Sequence, residues 1–441
     1  MNRFIYTALL RLIAPFAFKL LARKAARAGG VWEIRSPQRF GRYVDADVEQ
    51  SMAVSSGEAF NFQRPIWVHA VSLGETRAAQ PLIQVLLDQG FPVLLTHMTA
   101  TGRAMGASFF TSYLASGQLR QAWIPYDLPE AVKGFFRYWQ PRCGILIERE
   151  IWPNLLAEAK SQHVPMVVVS ARFSASSLKQ ARWMGKVLKD AFASLQLVLA
   201  QSPDDLKRLQ SFGLNKVELA GNLKFDVDIA ESLVREARDL KESLQRNVVV
   251  IASTRDGEEV MFLDALLKSQ AANPTSPIEP LYVLVPRHPQ RFDEVRQLLA
   301  KSNLTYCCRS RQPSLEELSH CQVLLGDSLG EMFFYYGLAD VAIIGGSFAN
   351  FGGQNNIEAS ALGVPVIVGP HTANFKQAVE DAIEAGATLR CESPAQAIAQ
   401  AEQLLQNTTQ RQAMSQAASQ WMSQHRGATE RTMRYLQPFL K

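Results

Sequence analysis

The chain has 441 residues, of which 47% are apolar and 20% charged, a globular composition with enough length for two large domains. Its formal net charge of +5 is misleading as an average: residues 1–44 hold nine Lys/Arg and one Glu, or +8, while the remainder holds 37 basic and 40 acidic residues, or −3. The basicity belongs to one end, which argues against a nucleic-acid-binding face. The five cysteines (Cys143, Cys307, Cys308, Cys321, Cys391) form no CxxC and no metal-ligand spacing. They read as small buried hydrophobes in a reduced, cytosolic compartment, with no metal site and no cofactor implied.

Residues 4–22 (FIYTALLRLIAPFAFKLLA) are mostly apolar, interrupted by Arg11, Pro15 and Lys19. A full bilayer span needs about 20 apolar residues with few charges. No small-residue cleavage site follows, and the next residues, RKAARAGG, are basic, so a signal peptide is disfavoured and the chain beyond is expected on the cytoplasmic side. The expectation is an inner-face membrane anchor that either spans or lies on the bilayer. The alternative is a buried first helix of the globular body.

Residues 45–64 lack periodicity and read as a connector or surface excursion. A strand–helix rhythm then begins. PIWVHAV is predicted as a strand, SLGE as a tight loop and TRAAQPLIQVLLDQG as a helix ended by Gly90. FPVLLTHM is a strand, followed by the turn TATG and a helix through Tyr113. RCGILIE, VPMVVVSA and LQLVLAQS are strands, with helices at IWPNLLAEAKSQH and SPDDLKRLQSFG. The segment Ser177–Phe192 reads as one helix, with Lys179, Arg182, Lys186 and Lys189 on one face. That face is either solvated or a patch for an anionic lipid or substrate phosphates. VELAGNLKFD closes this half.

A charged helical segment, Ile229–Gln245, leads to the second half. NVVVIAST is a strand and DGEEVMFLDALLKSQAA a helix. LYVLVPRHP is a strand plus loop, QRFDEVRQLLAKS a helix, and CQVLLGDSLGE runs into EMFFYYGLA. Val341–Ile344 is an apolar strand stopped by Gly345-Gly346. A second pair, Gly352-Gly353, precedes Gln354-Asn355-Asn356, the helical pattern IEASAL and the strand VPVIV. A glycine-rich loop opening onto a helix N-terminus is a ready anion site, and Glu358 in the first turn can accept bonds from ribose hydroxyls, so the natural ligand is a nucleotide. The region Pro394–Tyr435 is helical and polar on one face.

Near-continuous apolar strands alternating with helices give an α/β fold with parallel sheets, in two doubly wound domains joined near residues 226–246. Ligands in such sheets sit at the carboxyl ends of the strands, so an interdomain cleft is expected. Several charged residues fall at strand ends. Arg287 follows LYVLVP, and Ser328-Leu329-Gly330-Glu331 forms a further strand-end loop. Glu75 starts a helix after PIWVHAV, and Glu148-Arg149-Glu150 follows RCGILI. Lys224 lies in GNLKFD, and Arg172 follows VPMVVVSA. Each has a plain reading as a helix-start acid or a loop ion pair, and a functional one as a proton acceptor or a partner for phosphate.

Together these motifs resemble the Kdo (3-deoxy-D-manno-octulosonic acid) transferase family of lipopolysaccharide biosynthesis. The likeness runs along nearly the whole chain through VSLGET, PYDLP, EREIWPN, GNLKFD, VPRHPQRF, GDSLGE, GGQNNIEA and GPHTANF. It implies a GT-B fold, with two Rossmann-like domains facing a cleft. It also implies an inverting, metal-independent transfer of Kdo from CMP-Kdo to a lipid A precursor at the cytoplasmic leaflet of the inner membrane. Glu75 would then be the proton acceptor, with Glu148 and Lys224 stabilising the transition state. Pro286, Arg287, Leu329, Gly330, Glu331, Asn355, Asn356, Ile357 and Glu358 would touch CMP. Asn356 departs from the family pattern, where many relatives carry proline, and the connector at 45–64 is longer than expected. The expected organisation is an anchor over 1–44, an acceptor domain over 45–228 and a CMP-Kdo domain over 229–441, with the last helix a candidate to return to the first domain. Two other readings remain open: a GT-B sugar-nucleotide enzyme such as a UDP-sugar epimerase, which predicts a UDP ligand, and a non-catalytic scaffold, which predicts that Glu75 is dispensable.

Overall fold

The computed structural model describes residues 1–28, 32–43, 60–272 and 280–441. Most of the predicted connector (45–59) and residues 273–279 of the proline-rich loop lie outside them. The chain divides into two compact units, residues 1–226 with 426–441, and residues 227–425.

The first unit is built on seven parallel strands: β1 (Ile66–His69), β2 (Val93–His97), β3 (Leu119–Trp123), β4 (Cys143–Ile147), β5 (Met166–Ala171), β6 (Leu197–Ala200) and β7 (Val217–Leu219). Their order is β3-β2-β1-β4-β5-β6-β7. The central strands are unbroken apolar runs because helices cover both faces, and every residue of β1, β2, β4 and β5 is buried. One face packs Trp67, Phe135, Phe136 and Phe192; the other packs Val68, Leu82, Leu86 and, from the chain's end, Met433 and Leu436. That end is fastened by Asp226, whose carboxylate accepts the N–H groups of Gly427 (2.7 Å) and Thr429 at the start of the helix Ala428–Leu436.

The N-terminal helix, Arg3–Ala28, docks on this unit along one stripe. The Tyr6 hydroxyl donates to Asp127 (2.8 Å), Thr7 contacts Asn154 (3.1 Å), and the Phe18 ring meets Tyr126 at 4.8 Å. Asp127 also accepts the N–H of Leu155 (2.7 Å) and of Asn154 (3.2 Å), which caps the helix Pro153–Ser161. Burial raises its pKa to about 7. The aspartate of the PYDLP motif thus latches the N-terminal helix. The opposite stripe exposes Phe4, Leu12, Phe16 and Leu20, and Arg3–Arg23 is long and apolar enough to cross a membrane by length and composition.

The predicted single helix at Ser177–Phe192 is two helices, Ala175–Met184 and Lys186–Ala193. They are broken at Gly185, whose φ of +61° lies in the left-handed region that suits glycine. Lys179 and Arg182 therefore sit on one helix and Lys186 and Lys189 on the next, and they do not share one continuous face.

The second unit repeats the plan with β8 (Val248–Thr254), β9 (Leu281–Pro286), β10 (Tyr306–Cys308), β11 (Val323–Leu325), β12 (Val341–Ile344), β13 (Val366–Val368) and β14 (Thr388–Arg390). All pairings are parallel, in the order β10-β11-β9-β8-β12-β13-β14. All five cysteines are free thiols, four of them buried.

Candidate active site

In the first unit the strand order reverses between β1 and β4, which pair directly. Doubly wound sheets place ligands outside the carboxyl ends of the strands at such a reversal. The chain leaving β1 reaches Glu75 in the first turn of the helix Leu73–Asp88, and the chain leaving β4 starts with Glu148. A Cβ on Gly74 would meet no atom within 4 Å, so the turn beside Glu75 is open.

Glu148 has φ +62°, a left-handed conformation that a β-carbon disfavours; such strain persists where the surroundings hold it and concentrates at functional sites. Its Oε1 lies 2.6 Å from Lys224 Nζ. Lys224 comes from a short 3₁₀ turn, Leu223–Phe225, capped by Asn222, whose Oδ1 accepts the Lys224 N–H at 3.0 Å. Glu75 Oε2 accepts the Val71 N–H at 2.6 Å. Burial, reinforced by the negative charges of Glu148 and Glu150, raises the Glu75 pKa to about 8, with the Val71 N–H and Lys224 pulling the other way. Glu150 is raised by burial too, against the bond it accepts from Trp152 Nε1 at 2.7 Å. The first unit therefore joins a carboxyl poised near neutral pH to a buried ion pair. A group with this pKa exchanges a proton readily under physiological conditions.

In the second unit the reversal lies between β8 and β12. The expected nucleotide residues leave the carboxyl ends of three strands of this sheet: Pro286 and Arg287 at β9, Leu329–Glu331 after β11, and Asn355–Glu358 after β12. Leu329 is 73% exposed and Gly330 has φ +79°. Glu331 is paired with Arg309 (3.1 and 3.2 Å) and accepts from Ser328, so this carboxylate already has cationic company and its pKa is lowered. Asn355 Oδ1 accepts the Ile357 N–H at 3.0 Å. Asn356 is fully buried, with neither amide atom hydrogen-bonded, an energetic cost. Ile357 and Glu358 are buried in the short helix Ile357–Ala361.

Residues 35–227 match the family model described as 3-deoxy-D-manno-octulosonic-acid transferase (kdotransferase), and residues 305–421 match that of glycosyl transferases group 1. The chain is 52% identical over 440 residues to the 3-deoxy-D-manno-octulosonic acid transferase of Bordetella pertussis, covering 100% of both chains. The chain belongs to the Kdo transferase family. A 3-deoxy-D-manno-octulosonic acid transferase of Haemophilus influenzae is 32% identical over 457 residues, covering 100% of this chain and 99% of the relative. Among solved structures, the UDP-GlcNAc 2-epimerase of Neisseria meningitidis bound to UDP-GlcNAc superposes with a TM-score of 0.56 at 16% identity, over 85% of this chain and 100% of that one. This last likeness shows the fold alone: two Rossmann-like domains of GT-B type.

Within this Kdo transferase, the loop after β8 holds residues that sequence reasoning passed over. Glu258, at the start of the helix Glu258–Ala272, is fully buried and accepts four backbone N–H groups: Arg255 (2.9 Å), Gly346 (2.5 Å), Phe348 (2.9 Å) and Ala349 (3.1 Å). The double-glycine loop after β12 thus spends these donors on an internal carboxylate. Gly345 is required there, because a Cβ would lie 2.7 Å from Thr254 Cα. Arg255, on the same loop, stacks 4.7 Å from the Phe351 ring. In the sequence Glu258 lies within the predicted helix DGEEVMFLDALLKSQAA with no role assigned; the signal that could have found it is the doubled acid Glu258-Glu259 just after a strand and Gly257.

Proposed function

We propose that this glycosyltransferase moves Kdo from CMP-Kdo onto a hydroxyl of a lipid A precursor, with inversion and release of CMP, as a step of lipopolysaccharide biosynthesis. The observation that carries this reading is the Glu75 carboxyl, held near pKa 8 within the electrostatic reach of the Lys224–Glu148 pair. The acceptor oxygen attacks the anomeric carbon of Kdo, its proton passes to Glu75, and the bond from that carbon to the phosphate oxygen breaks with both electrons leaving on CMP. Glu148 answers the positive charge on the sugar, and Lys224 answers the charge on the departing phosphate. A phosphate monoester leaves without strong acid help, so the fixed charges serve where another enzyme would use a metal. Pro286, Arg287, Leu329–Glu331 and Asn355–Glu358 are proposed to hold CMP.

The N-terminal helix supports a membrane role. One stripe is committed to the protein through Tyr6, Thr7 and Phe18, while Phe4, Leu12, Phe16 and Leu20 stand exposed. A helix bound lengthwise to a folded unit fits a position in the plane of the cytoplasmic leaflet better than a crossing. Transfer is tested with purified enzyme, CMP-Kdo and tetraacylated lipid A precursor, read by mass spectrometry. Kdo addition with release of CMP is the expected result; no transfer, together with tighter binding of UDP than of CMP, overturns the reading.

A further inference from the structure

A cavity of ≈ 340 Å³ lies within the first unit, beside β5, the Glu148–Ile151 loop and the helix pair broken at Gly185. Its rim reaches Glu148, but its apolar interior has no part in the transfer chemistry. Its deep lining is apolar, formed by Val168, Leu188, Phe192, Val198 and Leu209, with Ala181 and Met184 from the first helix of the pair. A pocket of this size, open to solvent on its polar side and apolar at its floor, suits an amphipathic ligand.

The rim has the opposite character, with Glu148, Glu150, Arg149 and Arg172. Both carboxylates are engaged internally, Glu148 by Lys224 and Glu150 by Trp152. Arg149, whose charge also acts on Glu150, and Arg172 are the cationic rim groups that meet an anion entering there. One wall is Tyr6, from the N-terminal helix. The start of that helix is tied to the cavity's own helix pair, because the Met1 carbonyl accepts the Val187 N–H at 3.0 Å. The first helix of the pair also carries Trp183, 81% exposed, a residue type that favours the membrane–water interface. An apolar exposed helix, an interfacial tryptophan, an apolar cavity and a cationic rim therefore adjoin one another on a single unit, and the rim includes Glu148.

We propose that this cavity takes one acyl chain of the acceptor, with Arg149 and Arg172 pairing an anionic group at the head of that chain. The inference rests on the reading that the acceptor is an acylated lipid. The chain acts as a handle: its burial positions the head group beside Glu148, so that binding energy far from the reacting hydroxyl is spent on orienting it.

The test uses the full chain with two substitutions that push bulk into the cavity, Gln180→Trp from an exposed lining position and Met184→Trp from a half-buried one, together with Arg172→Gln. Acceptor KM is measured with an acylated precursor and with its deacylated backbone, and CMP affinity by calorimetry. Both tryptophan variants should raise the ratio of acylated to deacylated KM by about 4- to 15-fold, the loss of one or two buried methylenes' worth of binding, with CMP affinity and Tm unchanged. Arg172→Gln should weaken both acceptors alike. If Tm holds and the KM ratio of both tryptophan variants stays at the native value, the acyl site is overturned. Equal use of acylated and deacylated acceptors by the native enzyme also overturns it, while leaving the transferase reading intact. A native enzyme that neither binds CMP nor transfers to any acceptor refutes that underlying reading instead.

Discussion

Lys224 Nζ sits 2.6 Å from Glu148 Oε1, and the two charges act on Glu75 with opposite sign: Glu148 raises its pKa and Lys224 lowers it. The ion pair is thus a device that sets where Glu75 titrates as well as a source of transition-state charge. If Glu75 is the base, it works only when deprotonated. The value of kcat/KM should rise with pH, with a midpoint of about 8. Lys224→Met removes the lowering charge and should move the midpoint upward. Glu150→Gln removes a raising charge and should move it downward. A pH–rate profile of each variant checks both signs, and a midpoint that stays fixed in both takes Glu75 out of the base role.

Glu75→Gln should separate activity from stability. Loss of a general base typically costs ~10²–10⁴-fold in rate. The Glu75 pKa is raised in the folded state, so its stabilising contribution is present below the ordinary carboxylate range and is lost as pH rises toward about 8. Glutamine carries no such penalty. The variant should therefore melt higher than the native enzyme at pH 8–9, by on the order of a few °C, and match it more closely near pH 4. Calorimetry at the two pH values reads this directly.

Glu258 should be the most sensitive acid of the second unit. Its carboxylate satisfies the N–H groups of Arg255, Gly346, Phe348 and Ala349. Alanine leaves those donors without a partner. The expected cost is on the order of 3 kcal/mol or more in urea denaturation, together with weaker CMP binding as the two strand-end loops part. Glu258→Gln, which keeps one acceptor oxygen, should lose less on both counts.

The first unit also carries an acid weakness. His69 and His97 are buried at the ends of β1 and β2, and burial lowers their pKa values to about 4 and about 3. His97 Nδ1–H donates to the Ala70 carbonyl (3.1 Å), which leaves Nε2 to accept from Gln121 (3.0 Å), so both nitrogens are committed to the neutral ring. Folded pKa values below the unfolded value of about 6.5 mean that this stability is whole above pH 6.5 and is lost as pH falls through about 4 and then 3. Each group can contribute at most about 1.4 kcal/mol per pH unit. Tm measured from pH 7 to pH 4 should fall more steeply in the native enzyme than in His97→Gln.

Leu12→Glu and Phe16→Glu place charge on the exposed stripe of the N-terminal helix without touching its docked stripe. Vesicle co-sedimentation should drop several-fold while Tm is unchanged. Unchanged sedimentation in the double variant would move the membrane contact elsewhere on the protein.

The parallel strands were legible because strands covered on both faces must be apolar throughout: VAII at β12 and VVVIAST at β8 leave little else to read. The strands not predicted as such were β3, β7, β10 and β14, the four sheet edges: Arg120 and Gln121 in β3, Glu218 in β7 and Arg390 in β14 interrupt the apolar run where only part of the strand is covered, and β10 is only three residues long. The break at Gly185 escaped notice as well, because apolar spacing continues across it while the backbone turns.

Sequence by itself determined the chemistry on offer. Carboxylates, a lysine and arginines stand at strand ends, an apolar helix comes first, and motifs in a fixed succession mark the family. Those features are local, written in residue type and spacing. Only the tertiary structure decided which charges meet. Residues 75, 148 and 224 are distant along the chain, and it is the strand reversal between β1 and β4, with the return of the chain at Lys224, that couples them. It likewise decided that the glycine-loop donors belong to Glu258, and that Tyr6 walls a cavity lined by residues as far along the chain as Leu209. Burial and pairwise distance set pKa values and partners, and both arise only once the chain has closed on itself.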